Sequence, residues 1–284
     1  IFKRGSKTYF YSTMFFPRSI KGDVFKLYSF VRTADDHVDS FPQRLDLLRE
    51  MRSGLERSMN GEPTGDVVVD SFAELCLRRE FDMSWVDAFV NSMSLDTWKS
   101  SYRSIEELDE YLYGSAEVIG LMMAKIMDLT EASYHGAMRL GRAMQFINFI
   151  RDVQEDCGLG RSYFPQEELE QYGLRSLCEE EARANPASFL ALARKQINRY
   201  MGWQREAEAS FRYIPRKYLL PIKTASDMYK FTATKIYSRP MRVFHKKVKP
   251  SLGRIMIGYS RNRLWPLAYR QCPARGRIKG DYDE

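Results

Sequence analysis

The chain has 284 residues, of which 44% are hydrophobic and 29% are charged, with a formal net charge of +7. This composition supports one large globular domain or two small ones, and it excludes a collagen-like or low-complexity chain. The apolar runs are too short for a membrane-spanning helix, which needs about 20 apolar residues. The chain begins at Ile1 rather than Met, which is compatible with a leader that has been removed.

The positive charge is concentrated near the C-terminus, where twelve Lys and Arg residues lie between Arg239 and Gly280 with no Asp or Glu. Such a segment is either an ordinary solvated tail or a site of peripheral contact with an anionic membrane surface. Nucleic-acid binding is disfavoured, because the excess of basic over acidic residues is confined to this tail and no recognition motif occurs. The four cysteines form neither a C-x-x-C pair nor a zinc-like spacing, so we expect reduced thiols in a cytoplasmic protein.

Helical periodicity dominates the chain, and alternating strand patterns are scarce. In chain order, helices are predicted over residues 23–39, 43–59, 67–81, 85–94, 104–120, 132–152, 167–172, 186–211 and 215–237. The stretch Ser104–Glu107 forms a capping box at the start of one of them. No internal repeat or Ser/Pro-rich linker occurs. The sequence therefore predicts one all-α domain over residues 1–250, followed by a basic C-terminal tail over 251–284 that is partly packed or flexible.

The first acidic cluster lies at the end of the helix predicted over residues 23–39. Its polar side chains follow i, i+4, i+7, i+11 spacing and therefore share one helix face; they are Tyr28, Arg32, Asp35 and Asp39. Carboxylates one turn apart repel each other mildly unless a counter-charge is present. Oxygen ligands on one face suit Mg²⁺, which is commonly bound by one or two carboxylates together with substrate phosphate and water.

The second acidic cluster lies at the end of the helix predicted over residues 132–152. Its polar side chains follow i, i+3, i+7, i+11 spacing; they are Gln145, Asn148, Asp152 and Asp156. The residues between them are mostly apolar, and burying such polar groups without partners costs several kcal/mol each. A metal ion or a hydrogen-bond network is therefore expected around this stripe.

Either cluster alone is more often a solvated helix face than a functional site. Two stripes of matched spacing on apolar helices are much harder to obtain by chance. If they face each other, they can hold Mg²⁺ ions around a diphosphate leaving group, while the apolar helices line a pocket for a hydrocarbon tail.

These segments resemble the squalene/phytoene synthase family of head-to-head prenyl synthases, over residues 6–249. The likeness rests on Ser6–Phe10, Leu27–Asp39, Tyr111–Gly120, Gln145–Asp156 and Gly160–Pro165. The string Q-x-x-N-x-x-R-D-V-Q-E-D, followed by G-R-S-Y-F-P, is its most specific part. The chain departs from the family at two positions, with Gly5 where many members have His and Gln154 where Gly is frequent.

The resemblance implies an all-α isoprenoid-synthase helical bundle with a central cavity. It also implies Mg²⁺-dependent 1′–1 condensation of two prenyl diphosphates through a cyclopropyl diphosphate intermediate. The implied Mg²⁺ ligands are Asp35, Asp39, Asn148, Asp152 and Asp156. The implied diphosphate contacts are Ser6, Lys7, Arg32, Arg151 and Lys246. The implied residues of the reaction centre are Tyr28, Tyr111 and Tyr229.

Several alternatives remain open from the sequence. Phytoene-type synthesis (C20 + C20) is favoured over squalene or dehydrosqualene synthesis (C15 + C15), and NADPH is expected only if squalene is formed. A terpene cyclase or a head-to-tail prenyltransferase also uses acidic helices, but does not usually carry the strings named above. A catalytically silent, membrane-associated partner protein is disfavoured, because both aspartate pairs, Asn148 and Arg151 are intact.

Overall fold

The computed structural model describes residues 13–40 and 42–264, and these form α-helices joined by turns. The described residues contain no β-strand, only an isolated bridge between Ser101 and Ser162. In chain order the helices are α1 (Arg18–Asp39), α2 (Leu45–Met59), α3 (Val67–Arg79), α4 (Met83–Leu95), α5 (Ile105–Leu112), α6 (Val118–Ile126), α7 (Tyr134–Arg151), α8 (Val153–Gly158), α9 (Gln166–Gln171), α10 (Glu179–Ala184), α11 (Pro186–Ala209), α12 (Arg216–Ser238) and α13 (Leu252–Leu264). The all-α prediction is therefore confirmed. None of these helices is both long and apolar enough to cross a membrane.

The helix ends follow local sequence signals. Ser104 precedes α5, and its hydroxyl accepts a hydrogen bond from the backbone N–H of Glu107 at 3.4 Å. Asp66 and Asp82 cap α3 and α4 in the same way, because their carboxylates accept backbone N–H groups of the first turn. Helix α3 ends where Glu80 adopts a left-handed conformation, with a φ of 51°.

The long helix predicted over residues 132–152 is interrupted at Asp152, which lies between α7 and α8 with φ −101° and ψ 14°. The interruption is local, because the N–H of Asp152 still donates to the C=O of Asn148 at 2.8 Å. The N–H of Asp156 likewise donates to the C=O of Asp152 at 2.9 Å. The second polar stripe therefore continues across the break.

Helix α7 lies at the centre of the bundle and packs against α6, α11 and α12. A first group of buried side chains joins α1, α3 and α4, and within it the rings of Phe30 and Phe72 stack 3.9 Å apart. A second group surrounds α7 and α11 and includes Phe146 and Tyr200. Burial of each large side chain contributes about 1.5–3 kcal/mol. Apolar packing therefore fixes the positions of α1 and α7, the helices that carry the acidic stripes.

Two glycines allow close approach of helices beside α7. A π-helical turn, Tyr113–Glu117, links α5 to α6. A Cβ on Gly114 would lie 2.2 Å from the carbonyl oxygen of Ala88, and a Cβ on Gly120 would lie 2.2 Å from that of Ala137. Any larger residue at either position would push α4 or α7 away from the π turn or α6.

The structure corrects the expectation of reduced thiols, because Cys157 and Cys178 form a disulfide. Their Cα atoms are 5.7 Å apart, within the usual range for a disulfide. The chain folds back between them through α9, and a sequence separation of 21 residues does not reveal this return. Cys76 is free and buried, whereas Cys272 lies outside the described residues.

Part of the segment predicted as a tail is helical. Helix α13 packs on α12 through Ile255, Gly258 and Asn262, which are buried. The side-chain amide of Asn262 donates to Asp227 on α12 at 2.9 Å. The segment after α12 therefore returns to the helix that forms one wall of the bundle.

Candidate active site

A cavity of about 620 Å³ lies within the bundle, lined mainly by α1, α4, α6, α7, α8 and α12. Ten of the residues predicted from the sequence line it: Tyr28, Arg32, Asp35, Asp39, Tyr111, Asn148, Arg151, Asp152, Asp156 and Tyr229. Lys246 is not among the lining residues. Ser6 and Lys7 lie outside the described residues, so their predicted diphosphate contacts stay predictions.

The two polar stripes meet at one end of this cavity. Arg161 lies in the loop after α8, and its Nη1 donates to Asp39 Oδ1 on α1 at 2.9 Å. The backbone N–H of Arg161 donates to the C=O of Asp156 on α8 at 2.8 Å. Arg161 therefore joins the ends of α1 and α8, which are close neighbours in space.

The stripe on α1 carries more negative charge than its own helix neutralises. Arg32 pairs with Asp35 at 2.6 Å and also with Asp36. Burial, followed by the nearby charge of Asp39, nevertheless raises the pKa of Asp35 to about 7, against the lowering effect of Arg32. The repulsion between the carboxylates of this stripe is therefore only partly compensated by Arg32.

The stripe on α7 and α8 has the same property. Arg151 Nε donates to Asp152 Oδ1 at 2.8 Å, and the ammonium group of Lys247 lies 3.1 Å from the same oxygen. Burial, followed by the charge of Asp152, raises the pKa of Asp156 to about 8. Asn148 Oδ1 is buried and has no hydrogen-bond partner within the described part of the chain. An unsatisfied buried oxygen among carboxylates is a vacant acceptor position.

The basic groups at this end of the cavity differ from the prediction at one position. Lys246 is exposed, whereas Lys247 and Lys249 line the cavity. Lys246 lies just after the 3₁₀ turn Pro240–Phe244, and its backbone N–H still donates to the C=O of Arg242 at 3.2 Å, so it belongs to the turn rather than to the segment that lines the cavity. Burial, then Arg151 and Lys247, lowers the pKa of Lys249, which shows that cationic groups are concentrated here.

Three residues that were not among the predicted site residues, Asp96, Arg161 and Tyr163, also line the cavity. Asp96, just after α4, accepts hydrogen bonds from the phenols of Tyr111 at 2.6 Å and Tyr163 at 2.9 Å. Arg161 and Tyr163 belong to the string G-R-S-Y-F-P, but spacing alone did not connect them with α1 or α4. Asp96 follows the apolar helix α4 as a single carboxylate without a motif, so only the fold reveals it.

Away from the charged end, the cavity walls are predominantly apolar. The apolar lining residues include Leu27, Val31, Phe89, Met93, Ile119, Met123, Met127, Leu140, Met144, Phe211, Ile214 and Ile222. Such a surface binds hydrocarbon and excludes water. The cavity as a whole therefore suits an amphiphilic ligand with an anionic head and a long apolar tail.

The described residues contain no group of three or more His, Cys, Asp or Glu side chains close enough together to hold a metal ion by themselves. The acidic groups belong to opposite walls, and the cations Arg161 and Lys247 pair with them. The arrangement therefore resembles two half-sites rather than a closed protein cage. Magnesium sites that include substrate phosphate are typically of this open kind.

Comparison with known proteins agrees with this geometry. The model of the squalene/phytoene synthase family matches residues 2–254. The chain belongs to this family. Its members are prenyltransferases, so the chain is a transferase of isoprenoid chemistry. Phytoene synthase 2, chloroplastic, from Solanum lycopersicum is 30% identical over 287 residues, which cover 94% of this chain and 90% of that protein.

Solved structures agree on the fold. A crystal structure of a dehydrosqualene synthase in complex with ligand matches with a TM-score of 0.82 at 22% identity, covering 92% of each chain. A squalene synthase from Alicyclobacillus acidocaldarius matches with a TM-score of 0.76 at 21% identity, covering 84% of this chain and 91% of that one. The predicted isoprenoid-synthase helical bundle is thereby confirmed.

The raised pKa values lead to a prediction about the metal-free protein. The folded-state values of about 7 for Asp35 and about 8 for Asp156 exceed the value of about 4 for unfolded Asp. The stabilising contribution of these protonated carboxyls is therefore complete below about pH 4 and is lost as pH rises through 7 to 8. Asp156→Asn removes one half-buried charge. At pH 8.5 in a chelator it should raise the melting temperature by about 2–4 °C, and at pH 5 by much less.

Thermal melts monitored by circular dichroism measure this difference between variant and wild type, in which contributions of other carboxylates cancel. Glu110→Gln, at an exposed position of α5, serves as the control and should give the same small difference at both pH values. A melting temperature of Asp156→Asn that falls below wild type at pH 8.5 would contradict the prediction.

Proposed function

We propose that this chain condenses two prenyl diphosphates head to head, forming a 1′–1 bond through a cyclopropyl diphosphate intermediate. The observation that carries the proposal is the meeting of two acidic stripes at one end of a cavity whose other walls are apolar. Diphosphate heads belong at the charged end, and the hydrocarbon tails belong along the apolar walls. The family to which the chain belongs supports the same reaction.

We assign Mg²⁺ to the charged end. The residues that would hold it are Asp35, Asp39, Asn148, Asp152 and Asp156. All five offer oxygen donors, which a hard cation prefers. The unpartnered oxygen of Asn148 and the raised pKa values of Asp35 and Asp156 are what a site adapted to a cation shows without one. When bound, Mg²⁺ would neutralise charge on the diphosphate leaving group.

The chain's own residues supply the rest of the chemistry. Arg32, Arg151 and Lys247 offer charged N–H donors to diphosphate oxygens, and such charge-assisted bonds strengthen as the leaving group gains charge. The aromatic rings of Tyr28 and Tyr229 line the cavity nearby and present electron-rich faces to an allylic cation. The apolar walls keep water away from that cation, which water would otherwise capture.

For the substrates we propose C20 chains, which give a phytoene-type product by proton loss. This choice is supported by curated relatives at 28–30% identity that are named phytoene synthases. The structural neighbours named dehydrosqualene and squalene synthases are 21–22% identical and bear on the fold alone. The alternative is C15 + C15 condensation, in which NADPH enters only if the product is squalene.

Product analysis tests the reaction and the substrate together. The purified chain, given Mg²⁺ and labelled C20 diphosphate without NADPH, should release a C40 hydrocarbon, and labelled C15 diphosphate should react more slowly. Mass spectrometry measures the carbon count. A C30 product as the main outcome would replace C20 with C15 in the proposal. A product made from one substrate molecule would indicate a cyclase, and no turnover by folded protein would favour a silent partner protein.

The proposed diphosphate contact of Lys247, in the segment after α12, gives a second prediction. Lys247→Ala removes an ammonium group that lines the cavity beside Asp152 and Glu155, so the KM for the prenyl diphosphate should rise about tenfold. Lys246→Ala is the matched control, because Lys246 is exposed and outside the cavity lining; its KM should stay within about twofold of wild type. Steady-state kinetics would contradict the assignment if Lys246→Ala had the larger effect.

We also propose peripheral contact with an anionic membrane through the outer face of α13. This face exposes apolar side chains, with Ile257 70% and Leu264 83% exposed, beside the exposed Arg254 and Arg263. An apolar face flanked by basic residues is typical of helices that lie on anionic lipid surfaces. A membrane at this position would also receive a hydrocarbon product.

Vesicle co-sedimentation tests this contact. The chain should sediment with phosphatidylglycerol-containing vesicles more than with phosphatidylcholine vesicles, and the double variant Ile257→Asp, Leu264→Asp should lose about tenfold in partitioning. Val67→Asp, at an exposed apolar position of α3, is the control and should bind as wild type. Equal binding by all three proteins would contradict a role for α13.

A further inference from the structure

We propose that Asp96 is a positioning residue that fixes the phenols of Tyr111 and Tyr163 in the wall of the active-site cavity. The inference rests on the proposed function, because it concerns the reaction centre of that site. It assigns a task to a carboxylate that belongs to neither acidic stripe.

The contacts of Asp96 involve both of its carboxylate oxygens. Tyr111 donates its phenolic hydrogen to Oδ2 at 2.6 Å, and Tyr163 donates to Oδ1 at 2.9 Å. Asp96 is 7% exposed, Tyr111 is 2% exposed and Tyr163 is 6% exposed, yet all three line the cavity. A buried carboxylate is a costly way to satisfy two hydroxyl groups, so its use at a cavity wall points to function rather than to packing alone.

The two phenols belong to a continuous aromatic wall. Tyr163 stacks on Phe149 with centroids 4.0 Å apart and an interplanar angle of 7°. The ring of Tyr111 lies 5.5 Å from that of Tyr163 and 6.2 Å from that of Phe149. Ring faces attract cations, and their attraction depends on orientation. By accepting both phenolic hydrogens, Asp96 fixes the orientation of the two rings in the cavity wall.

Asp96 is linked by hydrogen bonds to α1, the helix that carries the first acidic stripe. The side-chain amide of Gln43 donates to the backbone oxygen of Asp96 at 3.1 Å and to that of Val38 at 3.0 Å. Val38 precedes Asp39 on α1, and Arg161 also donates to the backbone oxygen of Val38. One set of hydrogen bonds therefore connects the aromatic wall to the charged end of the cavity.

Kinetics of Asp96→Asn in the full chain test the proposal. Asn keeps the shape but has one acceptor oxygen, so one phenol loses its anchor. We expect kcat with labelled prenyl diphosphate and Mg²⁺ to fall about tenfold or more, while KM changes less than about threefold.

Tyr111→Phe and Tyr163→Phe should each lower kcat without a comparable change in KM. The double variant Asp96→Asn, Tyr111→Phe should be about as active as Tyr111→Phe alone, because residues that act through each other are not additive.

A buried carboxylate outside the cavity provides the control. Glu168 is 9% exposed and accepts hydrogen bonds from Gln196 at 2.5 Å and Arg199 at 2.6 Å, so Glu168→Gln disturbs a comparable buried network. Its kcat should remain near wild type even if its melting temperature falls. The proposal is overturned if Asp96→Asn loses no more kcat than Glu168→Gln, or if the losses of Asp96→Asn and Tyr111→Phe multiply.

If Asp96→Asn does not fold, the two tyrosine variants decide the question, since they keep the buried carboxylate. An unchanged kcat in both would overturn the proposal. Wild-type protein that couples no prenyl diphosphate would overturn the proposed function and this inference together, whereas active wild type with an unaffected Asp96→Asn overturns the inference alone.

Discussion

The rest of the structure must accommodate repulsion between carboxylates at one end of a largely apolar cavity. Asp39, which lies one turn from Asp35 on α1, approaches Asp156 on α8, and the local cations Arg32 and Arg161 neutralise these carboxylates only in part. Folding tolerates this arrangement because apolar packing behind α1 and α7 greatly outweighs the local repulsion. The charged end of the cavity therefore favours additional positive charge.

The same helices provide both the charged end and part of the apolar wall of the cavity. The polar faces of α1 and α7 end at the charged region, and other residues of these helices, such as Leu27 and Leu140, continue the cavity as an apolar wall. Close approach at Gly120 keeps α6 near α7, so the apolar part is bounded by closely packed helices. A cavity with a charged end and apolar walls thus follows from two amphipathic helices that line the same cavity.

Much of this was predictable from the sequence, because it is encoded in helical spacing. The stripes of α1 and α7, the all-α class and most helix boundaries follow from the period of 3.6 residues. Features that depend on distant parts of the chain were not predictable. Asp96 and Cys178 carry no local motif. Whether Lys246 or Lys247 lines the cavity depends on where the 3₁₀ turn Pro240–Phe244 ends.

The central claim is that the two stripes act together as a site for a magnesium–diphosphate head group. Titration calorimetry with inorganic diphosphate, with and without Mg²⁺, tests it without any need for turnover. We expect diphosphate to bind the wild type only when Mg²⁺ is present, and we expect Asp35→Asn on one wall and Asp152→Asn on the other each to weaken binding about tenfold or more. Equal affinity in a chelator, or sensitivity to only one of the two walls, would contradict it.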